Sequence, residues 1–208
     1  CGAQAAAELP LRPRGILLGE PTGNRMVRSQ KGLARFRLVA SGRAGHSGYP
    51  ELGPSAVHRL VPALEALLAG PWPVDPLRGA TTVNIGRIAG GEAGNVIAAS
   101  AEAEVVVRLV GDPEVVLGGV RRLAGEGVTL VPISARPPLD FPTLDGFEET
   151  VIAFHTDAPW LAPLGPIHLM GPGDIRTAHS PDERIGLDEL ERGAELYERA
   201  ARHILGER

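Results

Sequence analysis

One histidine and one carboxylate, far apart in the sequence, carry side chains suited to metal chemistry. His179 lies in the glycine-rich segment GPGDIRTAHSPDERI (171–185), and Glu20 directly follows the apolar run GILLG (15–19). Neutral imidazole and carboxylate oxygen are both standard zinc ligands. Each residue also has a simpler interpretation: a single loop histidine is often a surface residue, and a strand-end carboxylate can bond nearby backbone amides.

Three further side chains are candidates for binding, each with an open alternative. His46 in GHSGYP has glycine and small neighbours, which favour a closely approached loop, although the ring could merely brace that loop. Arg108 suits a carboxylate, but strand alternation puts it on one face with Glu102 and Glu104, so an ion pair is the alternative. Asn95 could simply support the turn before Val96.

The remaining histidines give weaker signals. Three histidines belong to no motif, and we expect them to have a structural role or to face solvent: His58, His168 and His203. The acidic residues Asp188, Glu189 and Glu191 are expected to stabilise the N-terminal end of the last helix, where negative charge is favourable.

The elements that must position these residues can be predicted from periodicity and turn signals. GILLG is a buried strand that Pro21 ends. We predict further strands at 32–42, 81–91, 95–111 and 127–135, with the strand 95–111 bent near Ala98 to Ser100. Helices are predicted to begin at Pro54-Ser55, after the cap Asp112, and at about Leu187.

The order strand, helix, strand, strand, helix, strand over 32–135 is the split βαβ pattern of a four-stranded sheet with two helices on one face. We therefore predict an α/β protein in which a ferredoxin-like βαββαβ domain (31–138) interrupts a second α/β domain. The pieces of that second domain are residues 1–30 and 139–208.

Composition excludes several classes of partner and location. The 208-residue chain has a net charge of −4 without a basic stripe, so we expect no nucleic-acid partner. No apolar run approaches the roughly 20 residues needed to span a bilayer, so no membrane partner is expected. The one cysteine, Cys1, favours a reducing cytoplasm. The chain does not begin with methionine, and we expect it to be the later part of a longer protein.

Five motifs together resemble one zinc hydrolase family. In order they are GEPTG, GRAGHSGYPELGPSAV, TTVNIGRIAGGEAGNVIAASAEAEVVVR, FHTDAPWL and GPGDIRTAHSPDERI. The family includes acetylornithine deacetylase, succinyl-diaminopimelate desuccinylase, aminoacylase and glutamate carboxypeptidase. The resemblance implies a zinc-binding α/β catalytic domain interrupted by a lid that usually dimerises, with 1–30 and 139–208 as catalytic-domain segments and 31–138 as the lid and dimerisation domain.

The resemblance also implies roles for individual residues. Glu20 matches a ligand of one zinc and His179 a ligand of the other. His46 matches a lid histidine that, in dimeric members, reaches the partner's active site and stabilises the oxyanion of the scissile carbonyl. The implied substrate-binding residues are Asn95, Arg108, Thr156, Gly171 and Gly173.

Part of the family's metal site is missing from this sequence. The family places an H-x-D motif and an acidic pair before the GEPT segment, and neither occurs in residues 1–19. His155-Thr156-Asp157 has the H-x-D spacing, but it lies where the family has a substrate loop, so we do not expect a metal pair there.

We therefore expect a metal-dependent hydrolase that cleaves the amide bond of N-acyl amino acids or short peptides. Its complete site would hold two zinc ions, with cobalt as a possible substitute, and the protein would form a homodimer through the lid. This chain alone is expected to bind zinc weakly and to be inactive, because catalytic zinc normally has three protein ligands. The alternative is a non-catalytic dimerising fragment or degenerate remnant of such an enzyme.

Overall fold

The computed structural model describes residues 2–207, so Cys1, on which the expectation of a reducing compartment rests, lies outside the described part. The helices are α1 (Gly2–Ala7), α2 (Ala56–Leu68), α3 (Pro113–Leu123), α4 (Ala158–Leu161) and α5 (Leu187–Leu205), with short 3₁₀ helices at Pro50–Leu52 and Ala162–Leu164. The strands are β1 (Ile16–Leu18), β2 (Met26–Gln30), β3 (Gly32–Ser41), β4 (Gly45–His46), β5 (Val74–Asp75), β6 (Gly79–Ala80), β7 (Thr82–Gly90), β8 (Val96–Ile97), β9 (Ser100–Leu109), β10 (Val128–Arg136), β11 (Leu139–Asp140), β12 (Glu149–Ile152) and β13 (Ile167–Leu169).

The chain divides into two compact units. The first unit combines the residues up to Gln30 with those from Leu139 onward, and the second comprises Lys31–Pro138. The second unit is therefore inserted into the first.

The second unit is a four-stranded antiparallel sheet with helices on one face. Its strand order is β10-β3-β9-β7, so the first and third strands of the unit are central. Helices α2 and α3 both pack against this sheet. This is the ferredoxin-like βαββαβ arrangement, and the predicted fold class is confirmed.

Alternation along the central strands explains the core of the second unit. Phe36 and Leu38 on β3, and Val105 and Val107 on β9, are fully or almost fully buried. Because successive side chains of a strand point to opposite faces, the residues between them lie on the face without helices. That open face carries most of the charged side chains of these strands.

Local capping fixes where the two helices of the second unit begin. The Ser55 hydroxyl accepts a hydrogen bond from the amide of His58 (3.5 Å), and the Asp112 carboxylate accepts one from the amide of Glu114 (2.9 Å). These contacts satisfy amide groups that have no partner within the helix. Both helices start where the sequence predicts.

The predicted strand 95–111 is wrong as a single element. Residues Val96–Ile97 pair with Gly45–His46, and only Ser100–Leu109 joins the main sheet. Between these segments the carbonyl of Ala98 accepts a hydrogen bond from the amide of Ala56 at 2.8 Å. The chain leaves the sheet there because its backbone bonds to the start of α2 instead of to a neighbouring strand.

The sheet of the first unit places β1 beside β13 and β13 beside β2, while β11 and β12 also pair with β2. Strands β1 and β13 are parallel, with Ile16 opposite Ile167 and Leu18 opposite Leu169. Strand β2 was not predicted from the sequence. Its sequence MVRSQ mixes polar and apolar residues, and it is stabilised by two buried polar side chains, Ser29 and Gln30.

Helix α5 begins at Leu187, as predicted, and packs on the first unit through small residues. Gly193 and Ala200 are its buried positions. Gly206 ends it in the left-handed conformation (φ 79°), which glycine adopts without strain. Within residues 2–207, no helix is both long and apolar enough to cross a membrane.

Candidate functional site

Glu20 lies where β1 ends. The backbone amide of Glu20 donates to the carbonyl of Met170, at the end of the neighbouring parallel strand β13 (3.4 Å). Among residues 2–207, no hydrogen bond reaches the Glu20 carboxylate, so the alternative in which it bonds nearby amides is not supported. Burial, and then the charge of Asp157, raises the pKa of Glu20.

A glycine loop follows β13 and lies directly against the Glu20 segment. The amide of Thr22 donates to the carbonyl of Gly171 (3.1 Å), and the amide of Gly23 donates to that of Gly173 (2.9 Å). A Cβ atom at position 171 would lie 2.7 Å from the carbonyl oxygen of Glu20. Only glycine permits this approach, and Gly173 has a φ of 94° that also favours glycine.

His179 lies further along the same loop in an unusual backbone conformation. Its φ is 61°, which few residues with a side chain adopt, and its amide donates to the Glu183 carboxylate (2.9 Å). Before it, the Arg176 guanidinium lowers the pKa of Asp174 to about 2. The loop that carries His179 is therefore held by its own side chains.

The Glu20 segment and the His179 loop share one cavity. Its volume is about 420 Å³, and its lining includes Pro21, next to Glu20, and Ala178, next to His179. An isolated bridge between Thr22 and Asp174 also joins the two segments. Glu20 and His179 themselves are not among the lining residues, so the structure brings together their neighbours and not the two side chains.

The described residues do not complete a metal centre. Within residues 2–207, no group of three or more histidine, cysteine, aspartate or glutamate side chains could hold an ion. Catalytic zinc usually takes three protein ligands and leaves one position open for water. Glu20 and His179 are chemically suitable ligands, but they do not form a complete site.

His46 is exposed and braces its own loop, as the alternative interpretation anticipated. Its Nδ1 atom accepts a hydrogen bond from the amide of Gly48 (3.1 Å), and its ring lies edge-on to Tyr49. An accepting Nδ1 requires the neutral imidazole to carry its proton on Nε2. The outward nitrogen is then a hydrogen-bond donor.

Asn95 lies beside His46. The carbonyl of Asn95 accepts a hydrogen bond from the amide of Ser47 (3.0 Å), and His46 pairs with Val96 in the β4–β8 ribbon. The structure therefore brings these two predicted residues together at one end of the second unit.

Arg108 lies at the opposite end of that unit. Ser100 and Arg108 are eight residues apart in β9, and a rise of about 3.4 Å per residue separates them by roughly 27 Å. His46 and Asn95 lie beyond the Ser100 end. One small substrate cannot contact both groups of residues within a single copy of this unit.

The proposed ion pair of Arg108 with a neighbouring glutamate is wrong. Arg37 contacts Glu102 at 3.1 Å, and Arg35 approaches Glu104 at 3.7 Å. Arg108 has no ion pair with any residue between 2 and 207. Burial lowers the pKa of its guanidinium.

Thr156 is buried and already hydrogen-bonded. Its hydroxyl donates to Gln30 Oε1 (2.8 Å) and accepts from the amide of Ala158 (3.2 Å). A direct contact with substrate would have to replace this arrangement.

Sequence reasoning missed three residues around Glu20 and the glycine loop. Glu189, assigned only to the helix end, accepts a hydrogen bond from the amide of Gly173 (2.8 Å). The Tyr197 hydroxyl donates to the carbonyl of Met170 (2.6 Å), and burial together with the charge of Glu20 raises its pKa. Asp157, dismissed as part of a false metal motif, acts on Glu20 electrostatically. The only sequence signal for Glu189 and Tyr197 was their helical spacing, which places both on one face of α5.

Sequence comparisons identify relatives of the chain. Residues 28–124 match the M20 peptidase dimerisation domain. The chain is 41% identical to a probable carboxypeptidase of Aspergillus terreus, over 88% of this chain and 48% of that protein. It is 38% identical to a peptidase M20 domain-containing protein of Schizosaccharomyces pombe, over 91% of this chain and 48% of that protein. The chain therefore spans about half the length of these curated relatives.

Solved structures share the fold at low sequence identity. A tripeptidase from Staphylococcus aureus superposes with a TM-score of 0.76 at 18% identity, over 98% of this chain and 61% of that chain. The aminopeptidase PepT from Bacillus cereus gives a TM-score of 0.67 at 20% identity, over 94% of this chain and 59% of that chain.

Proposed function

The chain belongs to the M20 peptidase family, and from this membership we propose that it contributes the dimerisation domain and part of the catalytic domain of a metal-dependent amide hydrolase. Its substrates would be N-acyl amino acids or short peptides. The observation that carries the proposal is the shared cavity of the Glu20 segment and the His179 loop. In α/β proteins, ligands bind where neighbouring parallel strands end, and Pro21 and Pro172 of the cavity lining each lie three residues beyond the ends of β1 and β13.

We propose that Glu20 and His179 are ligands of two zinc ions, for which cobalt could substitute. Each ion would need further ligands that residues 2–207 do not provide. The general base would likewise have to come from other residues. Gly171 and Gly173 would let the backbone of their loop approach the substrate closely, because neither has a side chain in the way.

His46 is proposed to stabilise the negative charge that develops on the scissile carbonyl. The hydrogen bond from Gly48 leaves the proton on Nε2, so the exposed nitrogen can donate to that oxygen. Asn95, at the same end of the unit, would contact the same substrate. Arg108 would bind a substrate carboxylate through its planar fork of donors.

The separation of these residues favours a homodimer. Because His46 and Arg108 lie at opposite ends of a sheet, we propose that they serve different substrate molecules, one in each active site of a pair. A second copy would complete each site. The lid is proposed to provide the contact between the two copies.

A specific surface of the second unit fits that contact. Val61 and Leu68 on α2 and Ile88 on β7 are 58%, 60% and 62% exposed, and they line a groove of about 600 Å³. Strand β7 is an edge of the sheet, with backbone groups free to pair. An apolar helix flank beside an open strand edge suits a second copy with the same surface.

A second candidate function is a dimerising module without catalysis. The absence of a three-residue metal group within residues 2–207 favours this alternative. It shares the proposed dimer contact but requires no role for Glu20 or His179.

A hybrid enzyme distinguishes the two functions. This chain would replace the matching half of the Aspergillus terreus relative, and hydrolysis of dipeptides and N-acetyl-L-ornithine would be measured with zinc present. We expect turnover by the hybrid and none by the 208-residue chain alone. Glu20→Gln and His179→Asn should each lower kcat/KM by more than about 100-fold, because even the partners of metal ligands contribute about 10- to 100-fold.

The matched control for the hybrid is His58→Gln, which changes an exposed histidine outside the site. It should leave kcat/KM unchanged. A folded hybrid that hydrolyses neither substrate, or turnover that survives both ligand substitutions, would contradict the proposed enzyme.

A further inference from the structure

Arg108 lies in a row of side chains on the open face of the second unit's sheet. Leu33 on β3 and Thr82 on β7 are its direct cross-strand neighbours. Residues opposite each other in antiparallel strands share a face, so all three side chains lie on the same surface. Arg108 is half-buried there.

Lys31 brings a second cation to this end of the sheet. It precedes Gly32, which pairs with Leu109, and its Nζ donates to the carbonyl of Ala80. Ala80 is two residues before Thr82, the neighbour of Arg108. Lys31 also lies two residues before Leu33, the neighbour of Arg108 on β3, so both cations lie at the same end of the sheet.

Neither cation is neutralised within the described chain. Residues 2–207 provide no ion pair for Lys31 or Arg108, and the two glutamates of β9 on this face, Glu102 and Glu104, already face Arg37 and Arg35. Burial lowers the pKa of Lys31 as well as that of Arg108. Partly dehydrated charges are unfavourable until they are paired, so this end of the sheet favours an anion.

We propose that Lys31 and Arg108 form one binding site for a ligand with two carboxylates, namely an N-acylated glutamate or aspartate or a peptide ending in either residue. This rests on the proposed function, in which Arg108 binds a substrate carboxylate, and it names the substrate class. The planar guanidinium fork matches one carboxylate through two hydrogen bonds. The ammonium is a compact point charge for the second carboxylate. Lys31 and Arg108 would then each have one carboxylate partner.

Isothermal titration of the 208-residue chain with two matched probes tests the site. N-acetyl-L-glutamate and N-acetyl-L-glutamine differ only in the charge of the side chain. We expect the chain to bind the glutamate compound at least about tenfold more tightly, which is the effect of one charge-assisted contact of about 1.4 kcal/mol.

Three variants test whether the charge of Lys31 causes the preference for N-acetyl-L-glutamate. Lys31→Met, which removes the charge and keeps an unbranched apolar side chain, should reduce the preference to less than about twofold, whereas Lys31→Arg should retain it. Arg87→Met is the control, because Arg87 is an exposed cation five residues from Thr82 along β7. It should keep the wild-type preference. Circular dichroism spectra that match the wild type would show that each variant is folded.

Equal binding of the two probes, no binding of either, or a preference that survives Lys31→Met would overturn the inference. The hybrid hydrolysis experiment is independent of this result. A dicarboxylate preference without any turnover by the hybrid would refute the proposed enzyme and leave the binding site standing. Turnover by the hybrid without a dicarboxylate preference of the chain would support the proposed enzyme and refute the binding site of Lys31 and Arg108.

Discussion

At the scale of single residues, side chains in the candidate site are available because their neighbours are already paired. Among the described residues, Arg108 has no ion pair, since Arg35 and Arg37 occupy the nearby glutamates. The proton of His46 is directed to Nε2 because Nδ1 accepts a hydrogen bond from the amide of Gly48. Residue type alone suggests a function in each case, but only the contacts show which atom is left to perform it.

His168 makes a testable contribution to the pH dependence of stability. It is buried on β13, and its Nδ1 donates to the carbonyl of Pro142 at 3.0 Å. Burial lowers the pKa of His168 below its usual 6.5, the Pro142 carbonyl opposes this, and the charge of His203 adds to the lowering. The unfolded chain therefore binds this proton at a higher pH than the folded chain does.

The free energy of unfolding should be highest above about pH 6.5 and should fall as the pH drops below it. The free energy of unfolding of the wild type should therefore fall more between pH 7.5 and 5 than that of His168→Gln does. Urea unfolding of the wild type and of His168→Gln measures it, with the exposed His58→Gln as control. An identical pH dependence in wild type and His168→Gln would contradict the assignment.

Some residues of the site could be predicted from sequence and others could not. Glu20 and His179 are predicted as metal ligands because a strand end and a glycine-rich loop leave local signals, and their role stays a prediction. Glu189 and Tyr197 contact the same loop from α5, and those contacts depend on packing between segments distant in sequence. No local pattern reports such a contact.

At the scale of elements, the sequence predicts the regular pieces and misses the irregular ones. Strands β3 and β7 and helices α2 and α3 follow clear alternation, periodicity or capping. Strand β2 lacks such a pattern because its buried Ser29 and Gln30 are stabilised by hydrogen bonds to Asp140 and Thr156. Sequence periodicity indicates which apolar side chains are buried, but it does not indicate polar side chains that are buried through hydrogen bonds.

The proposed dimer contact belongs to α2 and β7. Ile88→Glu should raise the dissociation constant of the dimer by at least about 100-fold, because burying an unpaired carboxylate costs several kcal/mol. Light scattering at micromolar concentration measures the effect, with a dimer expected for the wild type. Val115→Glu is the matched control, since Val115 on α3 is similarly exposed at 59% but lies outside the groove. A monomeric wild type, or equal effects of both substitutions, would count against this contact.

At the scale of the whole molecule, the chain spans about half of its curated relatives. The inserted unit has its own core and its own complete sheet. The surrounding unit carries Glu20 and His179, the proposed ligands of two different ions, and residues 2–207 hold no group of three side chains that could bind a metal. We therefore propose that Glu20 and His179 retain weak affinity for metal in this chain.

Cobalt titration followed by nuclear magnetic resonance measures this affinity, because paramagnetic Co²⁺ broadens the amide signals near each site that it occupies. We expect substoichiometric Co²⁺ to broaden the signals of residues 19–22 and 171–180 first. Glu20→Gln and His179→Asn should each weaken this effect. Broadening that begins around His58 or His203, or that never reaches Glu20 and His179 at millimolar Co²⁺, would contradict metal binding by these two residues.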